Sequence, residues 1–129
     1  MDFTLFENAT SVSAIYKRSL PTFTKIEVVK ITIIPGEDTE LILTLDTTEL
    51  PEVLPLKWSK KRINTVQFEI DFIDVDLKKI CLTKSMDYNF IMQRKDEKNV
   101  VILKNLLDNK EITFDSKWAY IRNISGYEK

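Results

Sequence analysis

Histidine is absent from the chain, which removes the commonest general base, the commonest zinc ligand and every serine or cysteine mechanism that relies on imidazole. Glycine is nearly absent, with only Gly36 and Gly126. Neither a phosphate-cradling loop nor a dinucleotide fingerprint can be written with two glycines so far apart. A single cysteine, Cys81, precludes an intrachain disulfide and fits a reducing compartment. No run of apolar residues reaches the ~18 needed to span a bilayer, and the start, Met1-Asp2-Phe3-Thr4-Leu5-Phe6-Glu7, lacks the basic-then-apolar order of a signal peptide. The expectation is a cytoplasmic protein without cofactor, metal or catalytic residues. At 129 residues it forms one domain, 1–129, large enough to bury its own core.

Charge is present in both signs but is segregated. Residues 31–56 hold Glu37, Asp38, Glu40, Asp46, Glu49 and Glu52 without a base, and residues 63–77 hold Glu69, Asp71, Asp74 and Asp76, again without one. Between them stands a basic knot, Lys57, Lys60, Lys61 and Arg62, around Trp58. The formal net charge of −1 therefore conceals two segments of negative local field.

Hydrophobic periodicity supplies the fold class. Asn8 or Thr10 can cap a short helix with Val12, Ile15 and Tyr16 on one side, ending before Pro21. From Thr24 the period changes to two, with Ile26 and Val28, then Val29, Ile31 and Ile33 after a one-residue slip that predicts a β-bulge. Pro35-Gly36 forms a turn into a second strand with Leu41, Leu43 and Leu45. Residues 47–60, with Pro51 and Pro55, read as an extended connection whose Leu50, Val53, Leu54, Leu56 and Trp58 lie over the sheet. Val66, Phe68, Ile70 and Phe72 face one way while Thr65, Gln67, Glu69 and Asp71 face the other. Leu77, Ile80 and Leu82, then Tyr88, Phe90 and Met92, then Val100 and Ile102 predict three further strands, joined by turns at Lys84-Ser85-Met86-Asp87 and Lys95-Asp96-Glu97-Lys98. A last strand, Glu111 to Ile121, alternates Ile112 with Phe114 and carries Trp118 and Tyr120. One helix and short antiparallel connections give an α+β domain, mostly β, built on an antiparallel sheet or sandwich with one short N-terminal helix.

The remaining chemistry is carboxylate chemistry. Glu69, Asp71, Asp74 and Asp76 could pair as acid and base or hold a cation, but their alternation with apolar residues is the pattern of a solvated strand face, and the spacing fits no metal loop. Cys81, between Ile80 and Leu82, reads as an inert, partly buried thiol. The knot Lys57-Trp58-Ser59-Lys60-Lys61-Arg62 has the flavour of a nucleic-acid surface. It is short, acidic blocks flank it, and with a pI near 5.6 a solvated turn is the simpler reading. Trp58 and Trp118 read as packing residues.

Leu50-Pro51 to Pro55, Lys57-Trp58, Asn64-Thr65-Val66-Gln67-Phe68-Glu69-Ile70 and the terminal Ile124-Ser125-Gly126-Tyr127, together with the N-terminal helix and hairpin, resemble the bacterial immunity protein 50 family. That resemblance implies a protein that binds and neutralises a toxin encoded beside it. It implies no catalytic residues, and Trp58, Asn64 and Tyr127 belong to its recurrent pattern. The charge pattern is compatible with such a role: Glu37, Asp38, Glu40, Glu49, Glu52, Glu69 and Asp71 are candidates for docking a basic toxin. No nucleic-acid or membrane partner is expected, and the chain is expected to be a monomer or a weak homodimer. The competing reading is a structural or assembly module that dimerises through an exposed sheet edge or through Leu50 to Trp58.

Overall fold

The computed structural model describes residues 1–82 and 87–129. The turn expected at Lys84-Ser85-Met86-Asp87 lies, except for Asp87, outside them. A 3₁₀ turn, Phe3–Leu5, and one short helix, α1 (Thr10–Ile15), precede six strands: β1 (Glu27–Ile34), β2 (Glu40–Thr47), β3 (Thr65–Ile80), β4 (Tyr88–Lys95), β5 (Lys98–Asn105) and β6 (Glu111–Tyr127). They form one antiparallel sheet in the order β1-β2-β3-β6-β5-β4. The domain is thus α+β and mostly β, a single sheet rather than a sandwich.

Strand parity explains why the sheet has one dry face. Leu41, Leu43 and Leu45 of β2, Val66, Phe68, Ile70 and Phe72 of β3, and Tyr88, Phe90 and Met92 of β4 are buried as their alternation requires. Phe23 sits at the centre of this core, its ring edge-on to Phe3, Phe68 and Phe90, while Phe72 packs edge-on to Phe114. The two outer strands approach each other at one end. Ile26 and Tyr88 exchange both backbone hydrogen bonds, at 2.8 and 2.9 Å, and Phe90 N–H donates to Phe23 O at 2.9 Å. The sheet therefore rolls towards a barrel, with the core inside the roll.

Three expectations about strand phase need correction. Leu77 and Ile80 do not begin a new strand; they extend β3, which carries on to Ile80. Within it Asp74 takes the left-handed conformation (φ 58°), and beyond it Val75, not an even-numbered residue, packs on the core. In β5 the buried residues are Val101 and Leu103 rather than Val100 and Ile102, because the unbroken run Val100-Val101-Ile102-Leu103 carries no alternation and the flanking inward residues, Asn99 and Asn105, are polar. In β6 the inward set passes from Ile112, Phe114 and Ser116 to Ala119 and Ile121, leaving Trp118 half-buried and Tyr120 exposed on the other face.

The helix also differs in its cap. Neither Asn8 nor Thr10 caps it: the N-cap is Ala9, with no side-chain bond. Asn8 instead reaches across to β6, where its amide accepts from Ile121 N–H and donates to Ile121 O, both at 2.7 Å. Those bonds sit beside the extra residue Arg122, which bulges β6 between Ile121 and Asn123. The bulge expected in β1 occurs between Val28 and Lys30. The hairpin turn at Asp96-Glu97 has left-handed φ at both residues, the signature of a type I′ turn.

The β2–β3 connection covers the sheet only in part. Trp58 is 4 % exposed and packs on Gly126, whereas Val53 is 67 % and Leu56 90 % exposed. A Cβ added at Gly126 would stand 2.8 Å from the Trp58 ring. Gly126→Ala is therefore expected to lower stability by about 1–3 kcal/mol, since a buried ring cannot yield as a flexible chain end does. Gly36→Ala, with open space around the new methyl, should stay within about 0.5 kcal/mol of the parent. Urea titration of both variants tests the pair.

Candidate functional site

The face of β2, β3 and β6 turned away from the core carries no helix. Its register brings residues from distant positions together. Ile42 lies opposite Asp71 and Thr44 opposite Glu69 across β2–β3; Tyr120 lies opposite Asp71 and Trp118 opposite Ile73 across β3–β6. Glu40, opposite Ile73, is diagonal to Asp71. The result is a half-buried patch in which Ile42, Ile73, Trp118 and Tyr120 surround Glu40, Glu69 and Asp71.

The three carboxylates are crowded by like charge. Burial, first, and then the charge of Glu40 push the Asp71 carboxyl above the ordinary carboxylate range, with a smaller push from Glu69; Arg122 acts the other way. One oxygen of Asp71, Oδ1, is buried without a hydrogen-bond partner. Arg122, delivered by the β6 bulge, lies 3.6 Å from Glu69 Oε1. Among the described residues Arg122 is the cation paired with these acids, while Lys117 lies over the Trp118 ring, 4.5 Å from its centroid, so the carboxylate trio itself keeps a net negative charge.

The other acids of the sequence pattern lie elsewhere. Glu37 and Asp38 are exposed at the β1–β2 turn, adjoining Glu40. Glu52 is exposed and 3.6 Å from Arg18. Glu49 is turned inward: its carboxylate accepts from Thr22 N–H and Phe23 N–H at 3.0 Å and from Thr22 Oγ1 at 2.8 Å. It thereby holds Phe23 in a left-handed conformation (φ 57°) that a bulky residue seldom adopts unaided. Asp74, the left-handed residue of β3, and Asp76 beyond it, expected beside Glu69 and Asp71, lie instead in a separate cleft with Asp96, Glu97, Lys98, Asp115 and Lys117. Among the described residues no group of three or more acids or cysteines is placed to hold a metal ion.

Trp58, Asn64 and Tyr127 form joints around the last residues of β6. Asn64 Oδ1 accepts from Lys129 N–H at 2.9 Å, and its Nδ2 donates to Lys129 O at 3.2 Å. Tyr127 donates its hydroxyl to Asp46, whose carboxylate also accepts from Gln67 at 3.1 Å and from Lys129 Nζ at 2.8 Å. Asp46, a buried acid that periodicity alone assigns to the wet face, is thereby fully partnered. It lines a cleft of about 400 Å³ in which Lys129 also bonds Glu27 and Lys25 lies 3.4 Å from Asp87. Each charged side chain of that cleft has a partner of opposite sign within the chain. Cys81 is half-buried, and its N–H donates to Glu111 O at 3.1 Å. No helix is long and apolar enough to cross a membrane among the described residues.

The crowding on the outer face makes a pH-dependent difference. Asp71 binds its proton more tightly folded than unfolded, so the protein loses stability as pH rises through the folded value. Asp71→Asn removes that loss. The variant should be more stable than the parent by roughly 0.2–1 kcal/mol at pH 7, as expected for relief of a like-charge cross-strand contact. The advantage should vanish as pH falls below the ordinary aspartate value. Denaturant melts of both proteins from pH 3 to pH 8 measure it; an equal or less stable variant at pH 7 would contradict the reading.

No curated protein and no solved structure matches the chain. A family model does, that of Immunity protein 50, over residues 8–127. That span runs from the Asn8 clamp to the Tyr127 hydroxyl, nearly the whole fold, and the chain belongs to the Immunity protein 50 family.

Proposed function

We propose that this protein binds and neutralises a cognate bacterial toxin by laying the outer face of β2, β3 and β6 on a basic surface of that toxin. Membership of an immunity-protein family supports the role in general. The observation that carries the choice of surface is the trio Glu40, Glu69 and Asp71, which Arg122 offsets only in part, ringed by Trp118 and Tyr120 on a face no helix covers. A partner's Lys or Arg placed among these carboxylates relieves their mutual repulsion. Asp71 is partly desolvated before binding, which reduces the cost of burying it further. The acids stand on paired strands, so little side-chain or loop ordering is needed on contact. Aromatic neighbours supply apolar anchors. Glu37 and Asp38 extend the negative rim and steer a basic partner, such as a nuclease, towards it. An inhibitor of this kind needs a surface and no reactive centre.

The test uses the toxin module encoded beside this protein, produced in inactive form. The parent chain should co-purify with it. Glu40→Lys, Glu69→Lys and Asp71→Lys together should weaken binding about 100-fold or more, as expected when charge pairs at an interface are reversed, while circular dichroism stays that of the parent. Undiminished affinity removes this surface from the proposal; failure of the parent to bind the module removes the toxin role.

A second reading, a homodimeric assembly module, draws on β1, an edge strand whose Val29, Ile33 and Ile34 are exposed. Light scattering separates the two. A mass of 15.1 kDa at working concentration fits a free inhibitor, and a stable doubling that Val29→Lys abolishes fits the module.

A further inference from the structure

The β2–β3 loop holds the one motif of the sequence that the acidic face does not use. Within residues 50–62 four cations, Lys57, Lys60, Lys61 and Arg62, stand against one acid, Glu52. All four are exposed, and Arg18 lies 3.6 Å from Glu52. Beside them stand Val53 and Leu56, two-thirds and nine-tenths exposed. An aliphatic side chain in that state loses about 1.5–3 kcal/mol relative to a buried one.

The loop nevertheless has a fixed shape. From Pro55 to Lys61 the chain winds through successive turns: Trp58 N–H donates to Pro55 O at 2.8 Å, Ser59 N–H to Leu56 O at 3.2 Å and Lys61 N–H to Trp58 O at 3.1 Å. Trp58 points inward and is wedged against Gly126, beside which Ile63 also packs. With that ring as an anchor, the turn presents Leu56 and Lys57 to solvent.

We propose that this loop docks the protein on an anionic lipid surface, with Leu56 and Val53 entering the boundary between headgroups and acyl chains and the four cations meeting lipid phosphates and carboxylates. Aliphatic tips flanked by lysines are the pattern of membrane-surface segments. Two other partners fit less well. A single-stranded nucleic acid needs exposed aromatic rings to stack its bases, and the only aromatic residue of the loop is buried. A protein interface favours aromatic residues and Arg and is depleted in Lys, whereas this loop offers three lysines and bare aliphatics. The net charge of −1, which argues against anion affinity from the sequence, does not govern here. The acids of the outer face and the cations of the loop occupy different elements, and within about 10 Å the local sign decides. The surface is separate from the acidic face, so it stands or falls apart from the toxin reading.

The full chain is floated with vesicles of phosphatidylcholine alone and with about 30 mol % phosphatidylserine, a content that gives a strongly negative surface. Expected is retention by the phosphatidylserine vesicles only, reversed at about 0.5 M NaCl by screening. Leu56→Asp, at a position too exposed to disturb folding, and Lys57→Gln, Lys60→Gln, Lys61→Gln and Arg62→Gln combined should each reduce retention roughly tenfold or more, with unchanged thermal melts. Absence of binding overturns the proposal. So does retention that ignores Leu56→Asp and is displaced by a short DNA duplex, which would mark plain phosphate affinity.

Discussion

The pairing of β3 with β6 is the constraint on which the other features rest. These are the two longest strands, 16 and 17 residues, and they lie at the middle of the sheet order. Their register fixes which residues enter the core and which meet solvent, because a slip of one position would exchange the two sets completely. The local departures are placed with effect. The left-handed Asp74 re-aims the far end of β3, and the bulge at Arg122 lets β6 change phase while presenting a cation to Glu69. Asn8 closes that bulge by bonding Ile121 through both of its amide atoms. A residue that looks like a helix cap in the sequence thus serves as a substitute strand.

Much of this is legible in the amino-acid sequence. The fold class, the first hairpin with its bulge and turn, and the inward set of β3 followed from alternation. So did the Asp96-Glu97 turn. What escaped has identifiable physical causes. A run of four apolar residues in β5 gives no phase, and the asparagines that would reveal it look like surface residues. The continuation of β3 through Leu77 and Ile80 depends on Asp74 tolerating a positive φ, which no periodicity announces. Val53 and Leu56 invite assignment to the core on hydrophobicity alone, yet Trp58 has already filled the space over Gly126.

The acids illustrate the same boundary between composition and placement. A sequence can count carboxylates but cannot tell which are used internally. Glu49 caps a strained turn, Asp46 gathers Gln67, Tyr127 and Lys129, and Glu40, Glu69 and Asp71 converge on an open face. Spacing offered one partial signal, since Glu69 and Asp71 alternate on a strand. Glu40 joined them through a register that only strand pairing could supply. The aromatics beside them, half-buried Trp118 and exposed Tyr120, escaped because the core phase of β6 shifts between Ser116 and Ala119.

The incomplete roll of the sheet leaves two rims that are defended unequally. Along β4 the last residues, Gln93, Arg94 and Lys95, are exposed and hydrophilic, so an approaching chain would have to strip water from charge to add itself there. Along β1 only Lys30 and the terminal Glu27 interrupt a β-branched series. Since the rims are tied together at one end, through Ile26 with Tyr88 and Phe23 with Phe90, fibrillar misassembly of the crowded or partly unzipped protein has one natural template, and it is the β1 rim.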